Sequence, residues 1–394
     1  MAVSTFFAIT GFISAAWIAR IPAAAEKLDL DTAQLGSLLL FIAIGSLVAF
    51  QFVGRVIENR GSARTALIAS SGFVVALSLL ALSPHPAALA VALFLYGIGF
   101  GGVDVAMNAQ GVVVERRLRK PIMGSLHGFF SLGALVGAAL SGIVAEAGIG
   151  LVPHFLAFSA VGLGLTLWAN MGQVADDPAP VQDETAPKPS RFAMPPRVLW
   201  PLGVIAFSAA LGEGSMADWS ALYVHDELGG SEGVGAFAFT AFSTTMLIGR
   251  FAGDRIVARG GPVRAVRTGS VIASIGMLFG LLPGTVAAAV IGFAIMGLGL
   301  SVVIPIVYSA AGSTPGIPSG RGVAAVATMG YSGFLVGPPI LGYLARVTSL
   351  QVALLVVVVG LFVIVFFTSS LDRPDQAVSE TAARLIDNPD PLSP

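Results

Sequence analysis

Between Gly97 and Gly111 the stretch GIGFGGVDVAMNAQG sets one acid, Asp104, and one amide, Asn108, in a run of small and apolar residues. Residues four apart share a face of a helix, so these two side chains would act together. A charged group at the centre of a membrane-crossing helix costs roughly 2.5–3.5 kcal/mol on insertion scales. That cost is offset if the carboxyl is used. Low dielectric destabilises its charged form, so it can hold or release a proton as its access to water alternates. The alternative is a structural acid bonded to a neighbouring helix. Asn108 can donate and accept hydrogen bonds with a polar solute, or it can tie two helices together.

Three more groups of residues could do chemistry. His127 falls near the expected depth of Asn108, where it would pair with Asp104 or relay a proton, or else serve as a hydrogen-bonded packing residue. In GEGSMADW, Glu213 and Asp218 are five apart and face different ways on an ideal helix, while Gly212 and Gly214 can loosen the backbone around Glu213. Glu213 is the deeper of the two and the second proton-coupling candidate; Asp218 is expected in solvent near the outer mouth. Trp17 and Trp219 are candidates for a substrate wall or for an interfacial aromatic belt, and Arg20 and Tyr223 are expected in the belt.

These residues are positioned by a membrane protein. Of 394 residues, 55% are hydrophobic and only 11% charged, and the mean hydropathy is +0.87, far from the roughly 25% charged residues of a soluble domain. Twelve apolar stretches are long enough to cross the bilayer as helices, near residues 2–21, 33–53, 65–82, 87–113, 122–146, 151–171, 198–224, 233–251, 265–282, 286–311, 321–345 and 350–369. The ten-residue alternation of a membrane β-barrel is absent from the sequence. Arg55, Arg60 and Arg64 follow span 2; Arg116, Arg117, Arg119 and Lys120 follow span 4; Arg250, Arg255, Arg259, Arg264 and Arg267 follow span 8. The intervening connectors carry almost no Lys or Arg, which predicts that both termini are cytoplasmic. The first segment lacks the basic leading region of a cleavable signal peptide and is expected to remain as a span.

The chain repeats itself. LYGIGF at Leu95–Phe100 corresponds to IMGLGL at Ile295–Leu300, and GALVG at Gly133–Gly137 to GFLVG at Gly333–Gly337, both at an offset of 200. Gly54, Arg60 and Gly61 align with Gly253, Arg259 and Gly260 at 199. The repeat predicts two pseudo-symmetric six-helix bundles, 1–171 and 198–370, joined by a proline- and acid-rich cytoplasmic linker, 172–197, and followed by a tail, 371–394. On the 200-residue offset Asp104 maps to Ile304 and Asn108 to Tyr308. One half thus holds the titratable group, while the other offers Tyr308 and Tyr331 to a solute. Pro305 is expected to bend span 10, and Pro338 with Pro339 to bend span 11.

The loop after span 2, GRVIENRGSAR, resembles the signature loop of the major facilitator superfamily, with Gly54, Glu58, Gly61 and Arg64 in the matching places and Asn59 where an arginine is common. The loop after span 8, GRFAGDRIVARGGPVR, keeps Asp254 and Arg255 with altered spacing. MNAQGVVVERR, SLHGFFSLGALVGA, EGSMADWSALYV and GYSGFLVGPPILGY are similar to a bacterial branch related to fucose permease. The resemblance implies an all-α fold in which two bundles rock about a midplane site lined by spans 1, 4, 7 and 10. It also makes the six matched loop residues a gating loop. In fucose-permease-like transporters an acid on span 4 takes part in proton coupling, which Asp104 would do here; the acid those proteins carry on span 1 has no counterpart.

The function expected is secondary active transport of a small polar solute, a sugar or related metabolite, coupled to protons. Proton-driven export of amphipathic compounds and a membrane sensor without transport are the alternatives. Cysteine is absent, as are H-E-x-x-H, G-x-S-x-G and P-loop motifs, which argues against an enzyme and against ATP-driven pumping. No cofactor, metal or nucleic acid is expected. The partners are the solute, protons and the bilayer of a bacterial inner membrane, in which the chain works as a monomer.

Overall fold

The computed structural model describes residues 1–30, 32–175 and 195–372, and among these it is helical with short connections. Most of the expected linker and nearly all of the expected tail lie outside the described residues. The helices are α1 (Ala2–Lys27), α2 (Thr32–Arg60), α3 (Ser62–Leu82), α4 (Pro86–Leu118), α5 (Met123–Glu146), α6 (Leu151–Asn170), α7 (Trp200–Leu222), α8 (Glu232–Leu281), α9 (Val286–Leu300), α10 (Val303–Gly312), α11 (Ser319–Val347) and α12 (Leu350–Phe367).

Two of these helices depart from the expected spans. Spans 8 and 9 are the two arms of α8, which is broken at Gly261 with φ 75°, and Pro262 follows where a helix's first turn needs no N–H. Span 10 is split into α9 and α10 around Ser301 and Val302. Pro305 explains the split: it has no N–H to give the carbonyl four residues back, that of Ser301. α11, by contrast, runs on through Pro338 and Pro339. Ten helical stretches among the described residues are long and apolar enough to cross a membrane. With the two arms of α8 they make the expected twelve crossings.

The repeat is visible in backbone detail. Gly61 and Gly261 both have positive φ, 82° and 75°, as do Asp29 and Gly229, at 51° and 67°. The left-handed region is nearly free of cost for glycine alone, so Gly261 is the conformational equivalent of Gly61. This corrects the sequence alignment, which placed Gly260 there. The side chain of His85 caps α4 by accepting from the N–H of Ala88 at 3.2 Å, and that of Thr285 caps α9 by accepting from Ala288 at 3.3 Å. Helix contacts repeat as well. A Cβ added at Gly97 would lie 2.2 Å from the carbonyl oxygen of Ile42, and one at Gly297 would lie 2.3 Å from that of Phe242. Dispersion between close backbones replaces the hydrophobic force that lipid does not provide.

In one half α1 packs on α5, α2 on α4, and α3 on α4 and α6; in the other α7 packs on α11 and α12, and α8 on α9. The halves meet where α2 packs on α11 and α5 on α8.

Candidate functional site

Between the two bundles lies a cavity of about 490 Å³ with walls from both. Phe7 of α1, Phe100, Asp104 and Met107 of α4, and His127 and Phe130 of α5 face Glu213 of α7, Arg250 of α8, Ile304 and Tyr308 of α10, and Tyr331 and Phe334 of α11. With Leu39, Ile42, Ala43 and Ser46 of α2 also on the wall, the lining comes from α2, α5, α8 and α11 as well as from spans 1, 4, 7 and 10.

Asp104 is 8% exposed. Its Oδ1 accepts from Asn108 Nδ2 at 3.3 Å, and the same nitrogen donates to the Asp104 carbonyl at 2.8 Å. Asp104 Oδ2 and Asn108 Oδ1 are buried without a hydrogen-bond partner. A buried acceptor left unsatisfied costs about 1–3 kcal/mol, so the pair holds unused bonding capacity where both bundles meet. Asn108 is fully buried and does not line the cavity; it grips the backbone and carboxyl of Asp104 instead of facing a solute. Tyr331 adjoins the carboxyl from the other bundle, and Tyr308 and Tyr331 each stand within electrostatic reach of both Asp104 and Glu213.

His127 Nδ1 lies 3.0 Å from the carbonyl oxygen of Met123. A carbonyl only accepts, so Nδ1 carries the hydrogen and, in the neutral ring, Nε2 is left as an acceptor. The ring sits between Phe7 at 5.1 Å and Tyr308 at 6.0 Å, centroid to centroid. It shares the cavity wall with Asp104, but its bond goes to its own helix.

Glu213 is paired. Arg250 Nη2 lies 3.3 Å from its Oε1, and Arg250 Nη1 donates to the Ser131 hydroxyl on α5 at 2.6 Å. A buried guanidinium thus joins an acid of its own bundle to the opposite bundle, inside the apolar layer. Sequence reasoning counted Arg250 among the basic residues that follow span 8 and passed over Ser131. The signal was available: Arg250 precedes the end of span 8, so its charge needed a partner at membrane depth.

The tryptophans are not brought to the cavity. Trp17 is 2% exposed, with its ring 6.3 Å from Phe155 inside the N-terminal bundle, and Trp219 packs against Gly342 of α11. Nor do Arg20 and Tyr223 form a belt. Arg20 is buried and bonds the Ile149 carbonyl at 3.0 Å and His154 Nδ1 at 3.4 Å, while the Tyr223 hydroxyl donates to the Leu281 carbonyl at 3.1 Å. Both polar tips find partners inside the protein, which removes the need to reach for the membrane surface.

At the end that carries the arginine-rich loops, hereafter the basic end, the expected gating residues separate into two groups. Glu58 Oε1 pairs with Arg321 Nε at 2.5 Å, joining α2 to the first turn of α11. Asp254 accepts from the backbone N–H groups of Gly124 at 2.8 Å and Ser125 at 2.9 Å and from the Ser125 hydroxyl, joining α8 to the first turn of α5. A carboxylate at a helix N-terminus satisfies orphan donors and complements the macrodipole. Gly61 makes the turn, and a Cβ on Gly54 would lie 3.2 Å from Arg321 Cα. Arg64 and Arg255 are exposed. Sequence reasoning missed Glu115, which accepts from the N–H of Ile122 at 2.8 Å and from the Ser309 hydroxyl, and Arg116, which donates to the last carbonyl of α10, Gly312, at 2.6 Å.

The geometry has known counterparts. The family model for the Major Facilitator Superfamily matches residues 1–317 and 223–394. An uncharacterized MFS-type transporter of Yersinia pestis is 36% identical over 88% of this chain and 89% of its own length, and the membrane protein MosC of Rhizobium meliloti is 32% identical over 92% and 88%. Among solved structures, that of the transporter FucP in the outward conformation superposes with a TM-score of 0.81 at 16% identity, covering 95% of this chain and 98% of that one. The human organic anion transporter MFSD10 gives 0.75 at 15%, covering 93% and 98%. The two-bundle fold, the repeated backbone and these matches agree: the chain belongs to the Major Facilitator Superfamily and is a multi-pass membrane transporter.

Proposed function

We propose that this transporter moves a small solute through the central cavity by alternating access, coupled to protons through Asp104. One observation carries the reading: a carboxyl nine-tenths buried, with an oxygen free of hydrogen bonds, lines a cavity walled by both bundles. Its protonation changes the charge at the contact between the moving parts, and so changes which arrangement of those parts is favoured. Residues 1–171 and 198–370 are the rocking units. The Glu58–Arg321 pair and the Asp254 cap on α5 close the basic end and must open for release on that side. Clustered arginines make the basic end cytoplasmic, with both termini there. Bacterial relatives favour an inner membrane, and a path inside one chain favours a working monomer.

Solutes for the test come from a thermal-shift screen of the purified protein, since a ligand that binds the folded state raises its apparent stability. In proteoliposomes Asp104→Asn abolishes accumulation driven by a pH gradient and retains exchange of labelled for unlabelled solute when the solute is raised well above the level that saturates the unmodified protein. Accumulation equal to that of the unmodified protein would remove Asp104 from the coupling.

A further inference from the structure

We infer that the solute of the central cavity is a small amphipathic cation of the ammonium class, whose charged head takes the place of a proton at Asp104. This rests on the reading of that cavity as the transport site.

Among the described residues, the ionisable groups on the wall that are charged in water are Asp104, Glu213 and Arg250, with His127, Tyr308 and Tyr331 beside them. Arg250 neutralises Glu213 at 3.3 Å and spends its other terminal nitrogen on Ser131 at 2.6 Å. Its Nε is buried without a hydrogen-bond partner, as Asp104 Oδ2 is. Among the described residues the one cation on the wall has its charge balanced by Glu213, so an anionic solute meets no net positive charge.

With Asp104 ionised and His127 neutral the wall carries a net charge of −1, from two carboxylates and one guanidinium. The capacity left over is mixed, with accepting atoms at its centre and the Arg250 Nε–H and two tyrosine hydroxyls beside them. Asp104 Oδ2 lies beyond hydrogen-bond distance of any donor, with the Tyr331 hydroxyl its neighbour from the other bundle, and His127 has given its Nδ1 hydrogen to Met123, which leaves Nε2 as a lone pair. An ammonium group supplies donors and one positive charge together. A neutral polyol supplies no charge and demands donors in return, which this wall offers chiefly through the two tyrosine hydroxyls.

The rest of the wall suits the body of such a molecule. Tyr331 is ringed by Phe50, Phe100 and Phe334 at 4.8, 6.1 and 5.9 Å, and Phe100, Phe334 and Tyr331 line the cavity on the side of Asp104. Aromatic faces attract a cation most strongly when water is excluded. The exchange balances in charge and atoms: the ammonium binds the protonated carboxyl, one proton leaves to water, and an ammonium–carboxylate pair remains. Solute and proton then exclude one another at one group, so the device runs as an exchanger.

The test uses the purified full-length protein and matched probes: 2-phenylethylammonium, 2-phenylethanol and phenylacetate, followed by libraries of small amines, alcohols and carboxylates. The amines are expected to raise the melting temperature where their matched alcohols and acids do not. In a buffer acid enough to keep Asp104 protonated before binding, a stabilising amine is expected to release about one proton per molecule bound, read with a pH indicator in weak buffer, and less as the pH is raised and the carboxyl starts ionised. Asp104→Asn should remove that release and weaken amine binding about tenfold or more. The matched comparison and the proton count use the unmodified protein, so they stand whether or not the variant folds. Stabilisation by alcohols or carboxylates in preference to amines, no amine hit at all, or amine binding without proton release would each overturn the inference. A neutral sugar accumulated through Asp104 would sink this inference and leave proton coupling intact, whereas an amine that binds and is not transported would sink the transport reading instead.

Discussion

Gly97 and Gly297 do the same work in the two bundles, each bringing its helix against the carbonyl of a residue 55 positions earlier, Ile42 or Phe242. Seven positions beyond them the halves part: one has Asp104, the other Ile304. Repeated small residues are required wherever two helices must touch at the same distance, because van der Waals contact is a geometric demand that both halves share. An unpaired carboxyl appears once on the cavity wall. The other acid there, Glu213, is paired with Arg250, since a second unpaired one would add desolvation cost and repulsion. The scaffold is therefore symmetric and the chemistry is not.

The closures at the basic end show the same contrast at a smaller scale. Both place a carboxylate from the loop region after a bundle's second crossing onto the first turn of a helix in the other bundle. Glu58 meets a side chain, Arg321, whereas Asp254 meets backbone N–H groups of α5. The first is an ion pair that salt can screen; the second is held by directional bonds as well as by charge.

The largest effect that would break the first comparison comes from Asp104→Asn set beside Ile304→Asn. Gradient-driven accumulation in proteoliposomes should fall to passive equilibration in the first and persist in the second; equal losses would mean that the halves share the coupling. Next come Gly97→Val and Gly297→Val, each overpacking a backbone contact at a cost of about 1–3 kcal/mol or more. Matched drops in melting temperature are expected, and a loss confined to one would show that the halves are not packed alike. Arg250→Gln and Glu213→Gln, alone and combined, should show a coupling of about 0.5–3 kcal/mol in thermal unfolding, with the double variant less damaged than the sum of the singles. Additive losses would mean that the guanidinium works mainly through Ser131.

The smallest effect concerns the closures. The chain has no cysteine, so single cysteines placed at the basic end report opening without background. Glu58→Gln should speed their labelling at low salt and much less at high salt. Asp254→Asn should speed it by about the same factor at both, within the roughly 0.5–2 kcal/mol of a helix cap.

Much of this was legible along the chain. Apolar length marked the crossings, the 200-residue echo marked the two halves, and Asp104 stood out as an acid in an apolar run. Asp104, His127, Glu213, Tyr308 and Tyr331 do gather around one cavity. Asn108 was expected to meet solute and instead holds Asp104, because an amide four residues on is within reach of both the carbonyl and the carboxyl before it. Trp17 and Trp219 were offered as a substrate wall and instead pack against Phe155 and Gly342, away from the cavity. In an apolar crossing with few polar positions, nothing in the pattern reports how the helix is rotated about its axis. Packing against neighbours decides that rotation.

The residues read in order were enough for membrane class, helix count and pseudo-symmetry, because hydropathy and repeat are properties of a line. Partnership is a property of a volume. Arg250 meeting Glu213 and Ser131, Asp254 seated on α5, and Arg20 turned inward toward His154 depend on which helices lie side by side and at what rotation. Contacts between residues far apart along the chain are settled only when the helices pack, within a bundle for Arg20 and His154 and between bundles for Arg250 and Ser131.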